Sequence, residues 1–285
     1  MPYHEVMRAR GTLALTLLVA ASAAAQDPRD LVRRAIAQDQ LDWQRMRDYT
    51  WRAQSVVRHF DARGKVESSR REAWETLILD GQPQRRMLER EGKPLSPEEQ
   101  RAEQARLDQV AARLSAENPA EKQRRIAEVQ KRRQREFAFL TEIPDIYDLH
   151  LEGAASIDGR PMWVVSGTPR RGAQARSRDA RMLLKIRGRM WIDQATCQWA
   201  KVEAESFDTI TWGIFLVRLN SGSRLSFEQM RVSADVWLPK HLFIVGSGRV
   251  GLIKRIAEDQ DLRWSDYKMF TVDSRVLPDT APNTR

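Results

Sequence analysis

Alternation with a period of two runs through the second half of this chain. Between Arg181 and Gly246, short apolar-rich segments follow one another, and each is closed by a turn signal. Residues 182–186 stop before Gly188, and 190–193 before Gln194-Ala195-Thr196. The segment 198–207 places Ala200, Val202 and Ala204 on one side and Trp199, Lys201, Glu203 and Glu205 on the other. Residues 214–219 lead to Asn220-Ser221-Gly222, then come 224–232, 236–239 and 242–245. Short alternating runs with Gly, Asn or Asp between them predict antiparallel strands joined in a meander. Tight turns of this kind need no crossover helix.

The first half carries two other patterns. Residues 30–47 show a helical stripe of Leu31, Ala35, Leu41 and Met46 with Ile36 beside it, and Asp27 or Asp30 is the candidate cap around Pro28. Strand composition then takes over at 49–57. A turn at 61–65 and a long return strand, 66–79, follow, ending at the turn dipeptide Asp80-Gly81. A third strand, 83–90, ends at Glu91-Gly92. Ser96, Pro97 and Glu99 spell a capping box with proline at the first helical position, and Asn118, Pro119 and Glu121 repeat it. Two helices are therefore predicted, one ending near Ser115 and one starting at Asn118. Their apolar stripes are thin (Leu107, Val110 and Leu114, then Ile126, Val129, Phe137 and Leu140), and their other faces are dense in Arg, Lys, Glu and Gln. Such a pair is either a solvated hairpin laced with i,i+4 pairs or a lid or docking arm over one mouth of the sheet. Strands resume at 147–153 and 160–168, and 169–178 is an Arg-rich loop. Residues 252–258 carry no single pattern, and 262–272 supply a last strand before a loose tail, 278–285.

The first 25 residues do not belong to this fold. Arg8 and Arg10 precede the apolar run 12–21, and Ala23-Ala24-Ala25 offers small residues for cleavage. These are the three regions of a secretory signal peptide, and the run is too short to span a bilayer. No Cys stands at the cleavage site, so a soluble periplasmic protein is expected, without a lipid anchor. The formal charge is +9, and removing Glu5, Arg8 and Arg10 with the signal leaves +8. Export turns that charge away from nucleic acid and toward anionic lipid headgroups, lipopolysaccharide or an acidic protein surface; the equal alternative is the Arg habit of a GC-rich genome, with no partner implied. Cys197 is the only cysteine, so no internal disulfide forms.

Candidate chemistry is sparse. Gly246-Ser247-Gly248-Arg249-Val250-Gly251 matches G-x-G-x-x-G, but a dinucleotide fingerprint must open a helix within a βαβ unit, and a meander supplies none. The glycines are expected in a turn or bulge. His59, His150 and His241 fall on separate predicted strands without zinc spacing, and no G-x-S-x-G elbow is present. No metal, no cofactor and no enzymatic activity are expected. The chain has 9 Trp, eight of them on or beside predicted strands. They either fill the core or line the apolar concave side of a sheet that does not close.

Gly188-Arg189-Met190-Trp191-Ile192-Asp193-Gln194-Ala195-Thr196, together with the later Val236-Trp237-Leu238-Pro239, resembles the outer-membrane lipoprotein-sorting superfamily (LolA/LolB-like). The resemblance implies an α+β fold: an unclosed antiparallel half-barrel over helices, with a cavity for acyl chains. On that expectation residues 26–277 form one domain with a charged helical insert at 96–137. The implied function is non-catalytic binding of a lipid or lipoprotein acyl chain in the periplasm. The rival reading is an envelope interaction module with a filled barrel, whose charged helices dock a partner protein. Strand alternation assigns Met190, Ile192, Val202, Ala204, Phe243 and Val245 to the concave, ligand-lining side, because their alternates Arg189, Asp193, Lys201 and Glu203 are charged. Trp191 and Trp199 then fall on the convex side, where a helix must cover them.

Overall fold

The computed structural model describes residues 26–212, 217–250 and 254–270. The signal-peptide reading, the tail at 278–285 and Gly251 lie outside them. Helix α1 is Pro28–Met46, and the Asp27 carboxylate accepts the Arg29 N–H at 3.0 Å to cap it. Its buried side runs through Leu31, Val32, Ala35, Ile36, Asp39, Asp42 and Met46. Leu41, expected in the stripe, is 47% exposed. At 100° per residue the stripe from Leu31 to Met46 passes through Asp39 and Asp42 instead, polar positions that a search for apolar residues steps over.

Strands β1 (Tyr49–Phe60), β2 (Val66–Leu79) and β3 (Gln82–Arg90) follow as hairpins, then the two-residue β4 (Lys93–Pro94). Asp80 and Gly81 both have positive φ (46° and 73°), as do Glu91 and Gly92 (51° and 71°), the backbone that two-residue hairpin turns demand. Helices α2 (Pro97–Ser115) and α3 (Pro119–Phe137) each open with the expected capping box. The chain reaches its next strand only after a 3-10 turn, Ala138–Glu142, and the short helix α4, Ile143–Ile146. The remaining strands are β5 (Tyr147–Ile157), β6 (Arg160–Pro169), β7 (Ile186–Asp193), β8 (Trp199–Ser206), β9 (Ile210–Trp212), β10 (Val217–Leu219), β11 (Arg224–Arg231), β12 (Trp237–Val250) and β13 (Lys254–Met269).

All described pairings are antiparallel, in the order β4-β3-β2-β1-β13-β12-β11-β8-β7-β6-β5, with β9 and β10 as a side ribbon on β12. The path has two ends, so the sheet is unclosed. Its middle is not sequential: β1 pairs with β13, from Tyr49 opposite Met269 to His59 opposite Glu258. The two ends are finished differently. Beyond β3, α2 lies along the strand edge, where Glu103 Oε1 accepts the Met87 N–H at 2.8 Å and Arg106 donates to the Arg85 carbonyl. Those bonds satisfy backbone groups that an edge strand leaves open. Leu107 and Leu114 are buried, and Lys122 and Arg125 of α3 hold Asp80 of the β2–β3 turn at 2.6 and 3.3 Å. At the other end, a bulge with Gly153 at φ 133° interrupts β5.

Three local expectations are corrected. Residues 179–185 form a 3-10 segment, Asp179–Lys185, not a strand. Ala180 and Leu183, three apart, bury together against Ile146 and Tyr147, and the Tyr147 hydroxyl lies 2.7 Å from the Leu183 carbonyl. The runs 236–239 and 242–245 are one strand, β12, because the register shift opposite Glu228 and Gln229 absorbs an extra residue beside Pro239. Gly246 and Gly248 lie inside that strand, not in a turn. A Cβ on Gly246 would stand 2.8 Å from Ser223 Oγ.

Candidate ligand-binding face

Helix α1 crosses one end of the sheet and is fixed there by polar bonds as well as by packing. Its Leu31, Val32, Ala35 and Ile36 bury against Val165, Met190, Ile192 and Trp199. One turn on, Asp39 Oδ1 accepts from Trp199 Nε1 at 2.9 Å and from Gln229 Nε2 at 2.8 Å. Gln198 Nε2 donates to Gln229 Oε1 at 2.5 Å. Asp42 Oδ2 accepts the Trp237 backbone N–H at 3.1 Å, and Arg45 stands 3.5 Å from its other oxygen. Burial drives both carboxyls above their ordinary range against these bonds, Asp42 from 3.8 to about 6.

Trp199 reaches α1 because of one irregularity. Trp191 pairs with Lys201, yet Ile192 pairs with Trp199, leaving Ala200 as an extra residue. A one-residue bulge exchanges the faces of everything beyond it. Trp199 therefore shares the helix-covered side with Ile192, and not the convex side that simple alternation gave it. Trp191 does lie on the opposite side, half-buried beside Met162, Ala200 and Trp237.

Directly paired residues share a face, so the register traces the apolar surface across the sheet. One row is Val165, Met190, Val202, Phe227, Leu242 and Leu262. The next is Gly188, Ala204, Leu225, Ile244, Gln260 and Val57. Val165 and Met190 are buried in the cluster under α1, while Val202, Phe227, Leu242, Leu262 and Leu225 are half-buried and Ile244 reaches 36% exposure. The apolar face thus continues past the helix that covers its beginning.

Behind these two rows the opposite face is mostly polar. Its rows are His150, Ser166, Arg189, Glu203, Ser226, Phe243 and Asp261, then Arg187, Glu205, Arg224, Val245 and Asp259. A groove of about 700 Å³ lies over them, edged by the pairs Arg189–Glu152 at 2.9 Å and Arg187–Glu205 at 3.2 Å. The six residues assigned to one ligand-lining side are therefore divided. Met190, Ile192, Val202 and Ala204 share the helix face, with Met190 and Ile192 already buried under α1. Phe243 and Val245 stand on the polar face, opposite Ser226 and Arg224. Alternation fixes parity within a strand, but only the register between strands says which parity meets which. The partly open positions Leu225, Phe227, Leu242 and Ile244 were missed for the same reason.

The Gly188–Thr196 motif has a structural explanation. Asp193, read as an exposed charge, is fully buried. Arg160 grips it at 2.7 and 3.0 Å, and its Oδ1 accepts the backbone N–H groups of Ala195 and Thr196 and the Thr196 hydroxyl. Burial pushes its pKa up, but the bonds from Arg160 and Thr196 outweigh burial and hold it below the ordinary value. The turn it organises ends at Cys197, whose φ is 57°. Among the described residues no group of three His, Cys, Asp or Glu is arranged to hold a metal ion. His59 stands 3.4 Å from Glu258 and His241 3.0 Å from Asp261, each on its own strand pair.

No family model matches the chain, and no curated protein matches it. Solved structures similar to it include a DUF1329 family protein from Desulfovibrio piger, 14% identical over 87% of this chain and 95% of that one, with TM-score 0.32. A LolA superfamily protein from Nitrosomonas europaea is 12% identical over 88% and 95%, with TM-score 0.29. A domain described as an outer membrane lipoprotein-sorting protein, from Vibrio parahaemolyticus, is 10% identical over 86% and 95%, with TM-score 0.30. What this chain binds has to be argued from its own residues.

Proposed function

We propose that this protein binds the acyl chain of a lipid or lipoprotein in the periplasm, without catalysing a reaction, on the apolar face beside α1. The observation that supports the reading is the two-row apolar surface through Phe227, Leu242, Leu225 and Ile244, which runs out from under the helix and stays partly open. Export, read from the N-terminal sequence, places that face where acyl chains are available. An acyl chain laid across the rows buries about half of its surface. At ~0.8 kcal/mol per fully buried methylene, a chain of about twelve gains roughly 5 kcal/mol, a dissociation constant on the order of 0.1–1 mM. Tighter binding requires a cover from above.

Native mass spectrometry of protein isolated from its own envelope tests the proposal. The expected result is a lipid-sized adduct on the wild type that is lost in the double variant Leu225→Glu/Ile244→Glu while thermal unfolding stays cooperative. Adduct retained by the folded double variant, or a wild type that never carries one, refutes this face and leaves the interaction-module reading in its place.

A further inference from the structure

Helix α3 has two unlike sides. One is occupied: Lys122 and Arg125 hold Asp80, Arg125 also pairs with Glu117 at 2.8 Å, and the Arg133 guanidinium lies over the rings of Trp43 and Phe137. On the other side Arg124, Lys131 and Arg135 are exposed. At 100° per residue these three fall within about 40° of one another, and at 1.5 Å rise they lie about 10 and 6 Å apart along the axis. The Arg124 guanidinium and the Lys131 ammonium have no acidic partner among the described residues, and Arg135 Nε donates to the Lys131 carbonyl at 3.3 Å. Exposed Arg132 flanks the line, and Glu128, four residues after Arg124 and three before Lys131, stands beside its middle; Glu121, at the N-terminal end, is committed to the capping box. A solvated helix gains most from mixed charge at i,i+4 spacing, whereas like charges in a line repel each other. Glu128 offsets part of that repulsion, yet the line keeps a net positive charge that suits an extended anionic surface.

We infer that the Arg124–Lys131–Arg135 line of α3 docks the protein on an anionic lipid bilayer. Basic side chains on one helix face are attracted to acidic headgroups, and the attraction is screened within a Debye length. A bilayer is the occupant that fits best, because the line is straight, lies on one helix face, and belongs to a chain whose N-terminal sequence reads as an export signal and whose net charge without that signal is +8. The inference stands on the charge of α3, not on the apolar face, and the two are separable by experiment.

Co-sedimentation with vesicles of phosphatidylethanolamine and phosphatidylglycerol, against vesicles of phosphatidylcholine alone, is the test. The wild type is expected to bind the anionic vesicles at low salt, to be released by added salt, and to ignore the zwitterionic ones. The variant R124Q/K131Q/R135Q keeps good helix formers on an exposed face. At about five-fold per basic residue it loses on the order of a hundred-fold in vesicle affinity. Its circular dichroism, its thermal unfolding and its binding of a soluble fatty-acid probe should match the wild type. Leu225→Glu/Ile244→Glu should do the reverse, losing the probe and keeping the vesicles. Equal binding to both vesicle types, an unchanged triple variant, or no vesicle binding by the wild type overturns the inference; the last outcome points the line toward an acidic protein instead.

Discussion

Asp42→Asn is a substitution that separates the bonding of α1 from its charge. The Asp42 carboxyl is buried, accepts the Trp237 N–H and has its pKa raised from 3.8 to about 6. A carboxyl with a higher pKa in the folded than in the unfolded state binds more protons when folded, so stability falls as pH rises between the two values and returns on acidification. Carried through for 3.8 and about 6, this single group adds roughly 1.3 kcal/mol to stability on going from pH 7 to pH 5. Asp39, raised by the same burial, acts in the same direction. Asparagine keeps an oxygen for the Trp237 N–H and has no proton to gain. Urea unfolding followed by tryptophan fluorescence at pH 5, 6 and 7 should show the wild type gaining stability toward pH 5 and Asp42→Asn gaining about 1 kcal/mol less. Below about pH 4 the trend reverses, as Asp193, Glu103 and Asp261, whose pKa values are lowered by their partners, take up protons. A wild type that only loses stability below pH 7, or a variant with the same slope, refutes the account of how α1 is held.

Other expectations follow from single contacts. Leu107→Ala should cost about 2–4 kcal/mol in urea unfolding, because Leu107 is buried where α2 covers β3; removal of 96–137 behind a short linker should abolish cooperative unfolding, and retention of it would show that the helical pair is an appendage. Arg160→Ala leaves the buried Asp193 without its cation and should destabilise by about 3–5 kcal/mol at pH 7, with part of the loss recovered at pH 4 as Asp193 protonates. N-terminal sequencing of protein isolated from its own cells should begin at Gln26 or within a residue or two; an intact or acylated N-terminus contradicts the signal reading.

What was legible in the sequence is what short-range chemistry decides. Asp80-Gly81 and Glu91-Gly92 take positive φ at both positions, so those hairpins were visible in two letters each. Ser96, Glu99, Asn118 and Glu121 make the bonds their spacing announced, and the helix bounds follow. Long-range facts were hidden. Nothing local says that β1 pairs with β13, and one extra residue at Ala200 carries Trp199 to the other face. The inner stripe of α1 contains Asp39 and Asp42, which look like surface residues until Trp199, Gln229 and the Trp237 N–H are brought to them. Phe243 and Val245 were placed by parity within their own strand, and the register with β11 set them across the sheet from Met190 and Val202.

The claim that the helix-side face takes the acyl chain can be read residue by residue. In deuterated protein protonated only at Ile, Leu and Val methyls, bound stearate should give short-range intermolecular NOEs to the methyls of Leu225, Leu242 and Ile244 and none to Val245, which the register puts on the opposite side. NOEs to Val245 with none to Leu225, Leu242 and Ile244 would move the ligand to the polar groove and contradict the account.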